Sequence, residues 1–447
     1  MDRVTGIHCA NALLPEGWRK DVRIEIAGGR IAKVEEGVPA KSDDEAVACM
    51  VPGMGNLHSH AFQRGMAGLA ERRGPEDDSF WTWREVMYRF VGTLSPEDLE
   101  AIAAQAYVEM LEGGFTRVGE FHYLHHDPSG GAYSDIGEMS GRIAAAAERT
   151  GLGLTLLPVF YAQGGFGGKP PGAAQARFIS NPDFYGRLVE RCRAIAARLD
   201  SAVVGIAPHS LRAVSPEQLT AILPAAGGGP IHIHIAEQVK EVEDCLAWSG
   251  QRPVEWLLAH APVDHRWCFV HATHMTEAET KALARSGAVA GLCPITEANL
   301  GDGLFPLETF QQSGGVYGVG SDSNVRIDMP EELRLLEYGQ RLLRRVRNVA
   351  ALGPGRSTGR DLFEQALRGG AQALGTMAGI EAGHSADLVS LAADHHEDDG
   401  LDQVIFAQGR VSEVWSQGRK RVSQGRHLSR DEVAVRFKAT LKKVLAR

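Results

Sequence analysis

Eight short apolar, β-like runs lie along the middle of the chain, at residues 50–57, 116–123, 152–161, 202–209, 230–236, 267–272, 288–295 and 316–321. Helical patterns separate most of them, and this alternation constrains the fold more than any other feature. Runs such as Leu152–Phe160 are apolar nearly throughout, as parallel strands buried on both faces must be. The segment Pro96–Leu111 has helical spacing and follows Ser95, an N-cap with proline at the first helical turn. Eight strands alternating with helices predict an α/β fold, a (β/α)8 TIM barrel. A doubly wound sheet has the same periodicity, but it does not gather strand ends around one point.

The chain ends read differently. Residues 22–35 alternate apolar and polar around Gly28-Gly29, a β-hairpin signature. Similar alternation returns at 386–391, 411–415 and 421–422. The expected organisation is a small β-sandwich domain from both termini (1–49 with 380–426), a barrel (50–379) and a C-terminal helix (427–447). In that helix Ser429-Arg-Asp-Glu432 reads as a capping box ahead of Val433, Phe437, Leu441 and Val444. Connections 61–94 and 162–182 are too long to be mere links, and long loops at a barrel rim usually carry function.

A formal charge of −9 argues against nucleic acid or an anionic membrane as partner. The basic run Arg341–Arg347 reads as the wet face of an amphipathic helix. No stretch of 18 apolar residues occurs, and the opening Met1-Asp-Arg-Val has no charged-then-apolar leader. Six cysteines without a Cys-x-x-Cys pair suggest reduced thiols. The expectation is a cytoplasmic enzyme.

Chemistry in a barrel gathers at the strand C-termini. The first run ends at His58 and His60, the fourth at His209 with Arg212 beyond, and the fifth at His232 and His234 with Glu237 three residues on. The sixth ends at His271 and the eighth at Asp322. Any one of these could be a hydrogen-bonded core histidine or a capping aspartate, but all of them fall in phase with strand ends. His58, His60, His234 and Asp322 make a three-nitrogen, one-oxygen set that leaves room for water on one divalent ion. Such an ion lowers the pKa of its water from 15.7 toward about 7. His234 is preferred to His232 because it is nearer the rim. The fourth run ends in Pro208-His209, without the lysine that two-metal sites of this kind use, so one metal is expected. Zn2+ suits these donors, as do Fe2+ and Mn2+. Glu237, just past its strand, can shuttle protons without taking a ligand position.

The set His-x-His, His-x-x-Glu, a sixth-strand His and an eighth-strand Ser-Asp resembles the amidohydrolase superfamily, in its mononuclear deaminase branch. Leu57–Arg64, Asp78–Arg84 and Ala207–Arg212 resemble, more narrowly, the formimidoylglutamate deiminase family of bacterial histidine degradation. The resemblance implies hydrolysis of N-formimino-L-glutamate to N-formyl-L-glutamate and ammonia. It implies Glu237, His271 and Asp322 in catalysis, with Gln63, Arg84, Tyr123, His209 and Arg212 around the substrate. Two arginines suit a substrate with two carboxylates, since guanidinium binds carboxylate through paired hydrogen bonds. Barrels of this kind commonly pair, so a homodimer is expected.

Two other readings share these residues. A deaminase acting on a nucleobase or nucleoside amidine would use aromatic and amide groups in place of paired arginines. A barrel that has lost catalysis and serves in assembly would be expected to have lost the metal set.

Overall fold

The computed structural model describes residues 5–73, 78–392 and 400–447. The opening Met1–Val4, residues 74–77 of the first long loop and residues 393–399 lie outside the described residues.

Four strands open the chain: β1 (Thr5–Leu14), β2 (Gly17–Ala27), β3 (Arg30–Glu35) and β4 (Glu45–Pro52). Then come β5 (Met54–Ser59), β6 (Phe115–His122), β7 (Gly153–Phe160), β8 (Val203–Val204), β9 (Ala207–Pro208), β10 (Ile231–Ile235), β11 (Trp267–His271), β12 (Val289–Leu292) and β13 (Val316–Val319). The last four are β14 (Leu388–Ala392), β15 (Arg410–Ser416), β16 (Arg419–Ser423) and β17 (Arg426–His427).

The strands of the two chain ends form one separate mixed sheet, ordered β17-β16-β15-β14-β4-β1-β2-β3. Where a sandwich is expected from sequence, hydrogen bonding runs continuously through all eight strands. β1 and β4 are parallel and the other pairs antiparallel. The β2–β3 hairpin turns at Gly28 (φ +55°) and Gly29 (φ +77°), the left-handed pair that a two-residue hairpin requires.

The intervening strands are all parallel and lie in two sheets, β5-β6-β7-β8 (with β9 on β7) and β10-β11-β12-β13. Isolated parallel bridges join their edges, Ile206 with Ile231 and Ser210 with His234 on one side, Ser59 with Asp322 on the other. Every residue of β6 and β7 is buried, as the continuous apolar runs require. Gly320 permits the approach of β13 to β5, since a Cβ there would lie 2.7 Å from the His58 nitrogen.

Several expectations need correction. The run 50–57 is divided: Met50–Pro52 pairs with β14, and the parallel strand begins at Met54, because Gly53 turns the chain between the two sheets. The run 288–295 stops at Leu292, where Pro294 opens a helix to Leu300. The run 202–209 is two short strands. The loop 61–94 holds the 3-10 turn Ala61–Met66 and the helix Phe80–Val91, capped by Ser79. Ser95 caps the helix Pro96–Glu112 as expected. Ser429 makes no side-chain cap on the helix Arg430–Val444. Its N–H donates to His427 Nδ1 at 3.0 Å, and Glu432 is drawn outward to Arg149. The basic run straddles a helix end, with Arg345 at φ +58° just beyond the helix Met329–Arg344.

Candidate active site

His58 and His60 leave the end of β5 on one side of the strand, buried beside His234 and Asp322. One ligating atom from each of the four lies within 4.8 Å of the others. His58 Nε2 is 3.4 Å and His60 Nε2 3.2 Å from Asp322 Oδ1. His234 Nε2 is 3.0 Å from His58 Nε2.

The hydrogen bonds behind the rings fix their direction. His60 Nδ1 donates to the Phe121 carbonyl at 2.9 Å, and His234 Nδ1 to the His209 carbonyl at 3.1 Å. Each therefore turns an Nε2 lone pair inward, as metal-ligating histidines do. Burial pushes His58 down to about 3 despite Asp322 beside it. Burial likewise lowers His60 and His234, so neutral imidazoles face one another. Burial alone would raise Asp322, but its contacts with His58, His60 and His271 hold it well below the usual carboxylate range. Two inward nitrogens at 3.0 Å with a carboxylate oxygen beside them suit a shared divalent cation better than they suit one another. His232 instead meets the Ala373 carbonyl at 2.7 Å.

The backbone bends sharply here. Ala236, His271, Ala272, Asp322 and Asn324 all have φ between +43° and +69°. Left-handed conformations at non-glycine residues cost about 1–3 kcal/mol each and cluster at functional sites.

Glu237 and His271 flank the cluster. His271 Nε2 lies 3.9 Å from Glu237 Oε1 and 3.9 Å from Asp322 Oδ2. Burial raises the Glu237 carboxyl, against the opposing pull of His271 and Arg212. That is the condition of a group able to hold a proton near neutrality. Glu241 anchors its turn by accepting the N–H groups of Ala236 at 3.1 Å and Glu237 at 3.3 Å.

Three of the four candidate ligands, His60, His234 and Asp322, border one cavity with Glu237, His271 and all five expected substrate contacts, and His58 does not line it. Arg212 Nη2 is 3.9 Å from Glu237, and Arg212 Nε is buried without a partner among the described residues. Arg84 lies over the Trp81 ring at 4.5 Å, with Arg212 5.7 Å from the same ring. Gln63 donates to the Tyr123 hydroxyl at 3.0 Å, and its own buried oxygen has no partner among the described residues. His209 contacts the Ser210 hydroxyl at 3.0 Å and packs on Tyr161 and His234.

Tyr88, Tyr161 and Phe178 also line the cavity, beyond the residues that the sequence points to. Tyr161 ends its run, so the strand-end rule could have found it; Tyr88 follows Arg84 by one helical turn. The cavity measures about 60 Å3, well below the ~300–1,000 Å3 of typical ligand sites. The helix Phe80–Val91 supplies much of its wall. A larger groove of about 620 Å3 lies between the terminal sheet and the parallel strands, and none of these catalytic candidates borders it.

Among known proteins, the amidohydrolase family model matches residues 49–421, and the N-terminal domain model of formimidoylglutamate deiminase HutF matches residues 4–48. Formimidoylglutamate deiminase from Pseudomonas aeruginosa is 50% identical over 99% of this chain and all of its own length. A 5-methylthioadenosine/S-adenosylhomocysteine deaminase from Natronomonas pharaonis is 29% identical, over 84% of this chain and 81% of its own. The crystal structure of an amidohydrolase from Brucella melitensis superposes with a TM-score of 0.97 at 56% identity, covering 99% of this chain and 100% of that one.

Proposed function

The chain belongs to the amidohydrolase family, and from that premise we propose that it hydrolyses N-formimino-L-glutamate to N-formyl-L-glutamate and ammonia. One observation carries the reading: the His58, His60, His234 and Asp322 group and the two guanidinium groups of Arg84 and Arg212 meet at one cavity. An amidine with a carboxylate at each end of a short carbon chain matches that pairing of charge and reactive centre.

When bound by those four residues, a divalent ion, by our reading one Zn2+, supplies a nucleophilic water at neutral pH. The remaining chemistry belongs to side chains. Glu237 takes a proton from the attacking water and passes it to the imine nitrogen. His271 steadies the attacking oxygen and its developing charge, and Asp322, as an anion, accepts a proton from that oxygen. A C–O bond forms at the formimino carbon, the second proton of the water passes by way of Asp322 to the terminal nitrogen, the C–N bond to that nitrogen breaks as the C=O forms, and ammonia leaves with the formyl group still on glutamate. Gln63, Tyr123 and His209 border the amidine, while Arg84 and Arg212 take the carboxylates.

The same reading extends to architecture. The edge bridges at Ile206–Ile231 and Ser59–Asp322 support a closed (β/α)8 barrel. By this reading the barrel is 50–379 apart from Met50–Pro52, which pair into the terminal sheet, the small domain is 1–49 with 380–426, and a final helical segment is 427–447. Six free cysteines, all buried, fit a reducing cytoplasm, and the working unit is taken as a homodimer. Ammonia release from N-formimino-L-glutamate, beside its aspartate homologue and a nucleobase panel, tests the proposal. Turnover of a nucleobase without turnover of the formimino compound would replace it with the nucleobase reading.

A further inference from the structure

His271 presents one ring nitrogen to the reaction centre and the other to a carboxylate that no part of the proposed chemistry uses. Its Nδ1 lies 3.2 Å from Glu297 Oε1, and Glu297 is 4% exposed. Glu297 is carried by the short helix Pro294–Leu300 that follows β12.

We infer that Glu297 is a positioning residue for this reaction, holding His271 with its hydrogen on Nδ1 so that Nε2 serves the site. This rests on the proposed hydrolysis for its function, but its geometry stands alone. Oε1 also accepts the Cys293 backbone N–H at 2.9 Å, and a backbone N–H can only donate. A carboxylate oxygen has no hydrogen to donate, and this one accepts, so the imidazole hydrogen between Nδ1 and Oε1 sits on Nδ1. Nε2 then carries its lone pair, or the proton it has gained, toward Glu237 and Asp322, each 3.9 Å away.

The carboxylate is itself held in place. Glu297 N–H donates to the Cys293 carbonyl at 2.8 Å, and the Glu297 carbonyl accepts Asp302 N–H at 2.9 Å. His271 (φ +69°) and Ala272 (φ +48°) occupy consecutive left-handed positions. That strain turns the chain at the end of β11, and the Glu297 bond supplies one fixed anchor for the ring there.

His271, Cys293 and Glu297 could also be taken as a second metal site, because their donor atoms lie within 4.8 Å of one another. The hydrogen-bond pattern argues otherwise, since Oε1 accepts the Cys293 N–H and lies at hydrogen-bond distance from His271 Nδ1.

The test uses zinc-loaded full-length protein. Nitrogen-15 NMR locates the His271 hydrogens, with the His271→Asn variant identifying the resonances. Hydrogen on Nδ1 is expected; a ring protonated on Nε2 alone overturns the inference, and no substrate is needed to see it. Glu297→Gln keeps an acceptor oxygen at the same place, whereas Glu297→Ala removes it. With one zinc per chain and an unchanged KM, kcat should fall about 10- to 100-fold in Glu297→Ala, the scale of outer partners of active-site histidines, and recover partly in Glu297→Gln. Equal loss in both variants, unaltered kcat in Glu297→Ala, or two zinc ions per wild-type chain would each overturn it. Wild-type protein that carries hydrogen on Nδ1 yet releases no ammonia from N-formimino-L-glutamate would sink the proposed reaction and leave the tautomer assignment standing.

Discussion

His60 and Asp322 are joined twice: His60 N–H donates to the Asp322 carbonyl at 2.9 Å, and His60 Nε2 lies 3.2 Å from Asp322 Oδ1. Two candidate ligands 262 positions apart in sequence are thus also a strand pairing, through the bridge at Ser59. Metal geometry and strand pairing at this edge cannot change independently.

Asn324 reinforces that junction. Its amide nitrogen lies 3.1 Å from each of the Ser59 hydroxyl, the His60 carbonyl and the Asp322 carbonyl. Its φ of +55° also suits asparagine better than alanine. Asn324→Ala should therefore weaken metal binding about 10- to 100-fold, read by competition with a chromogenic chelator. Wild-type affinity in a folded variant would mean that the ligand geometry is set elsewhere.

Glu237 lines the candidate cavity without belonging to the four-residue group. Glu237→Gln keeps the shape of the side chain and removes its capacity to move a proton. Turnover should fall roughly 10²- to 10⁴-fold, while metal content stays at the wild-type level. A variant that lost its metal as well would assign Glu237 to the ligand set instead.

Arg212 and Arg84 both lie over the Trp81 ring, and the Nε of Arg212 is buried without a partner among the described residues. A charge-assisted hydrogen bond contributes about 1.5–3 kcal/mol. Replacing Arg212 with alanine should then raise KM for the formimino dicarboxylate roughly 10- to 100-fold, with a smaller effect on kcat. Unchanged KM in both Arg84→Ala and Arg212→Ala would remove the arginines from substrate binding and favour a neutral substrate.

Much of this site is legible in sequence because parallel strands deliver their final residues to one rim. His58, His60, His234, His271 and Asp322 all sit at or just past such ends. Glu297 is hidden from that rule: it lies a helical turn beyond β12, and only folding brings it to His271. The Ser429–Glu432 motif misleads for a related reason. A capping box is a local preference, and Arg149, far away in the chain, competes successfully for Glu432. The run 50–57 reads as one strand because nothing in its apolarity marks Gly53 as the passage between two sheets.

His427 gives the C-terminal helix a pH dependence. Its Nε2 donates to the Thr150 carbonyl at 3.0 Å, and its Nδ1 accepts the Ser429 N–H at 3.0 Å. A second ring proton would land on Nδ1 and face that N–H. Burial, with Arg421 and Arg430 nearby, lowers the imidazole below its ordinary value of 6.5 in the folded chain, although the Thr150 carbonyl opposes this. The folded state therefore prefers the neutral ring. Its stabilising contribution is complete above pH of about 6.5 and is lost as pH falls from there through the lowered folded value. Hydrogen exchange of residues 430–444 should accelerate between pH 7.5 and 5 more in the wild type than in His427→Gln, each corrected for intrinsic exchange. Taking the difference between the two proteins cancels the other titrating groups, including the histidines of the candidate metal group. Equal acceleration in both would show that His427 does not govern the docking of this helix.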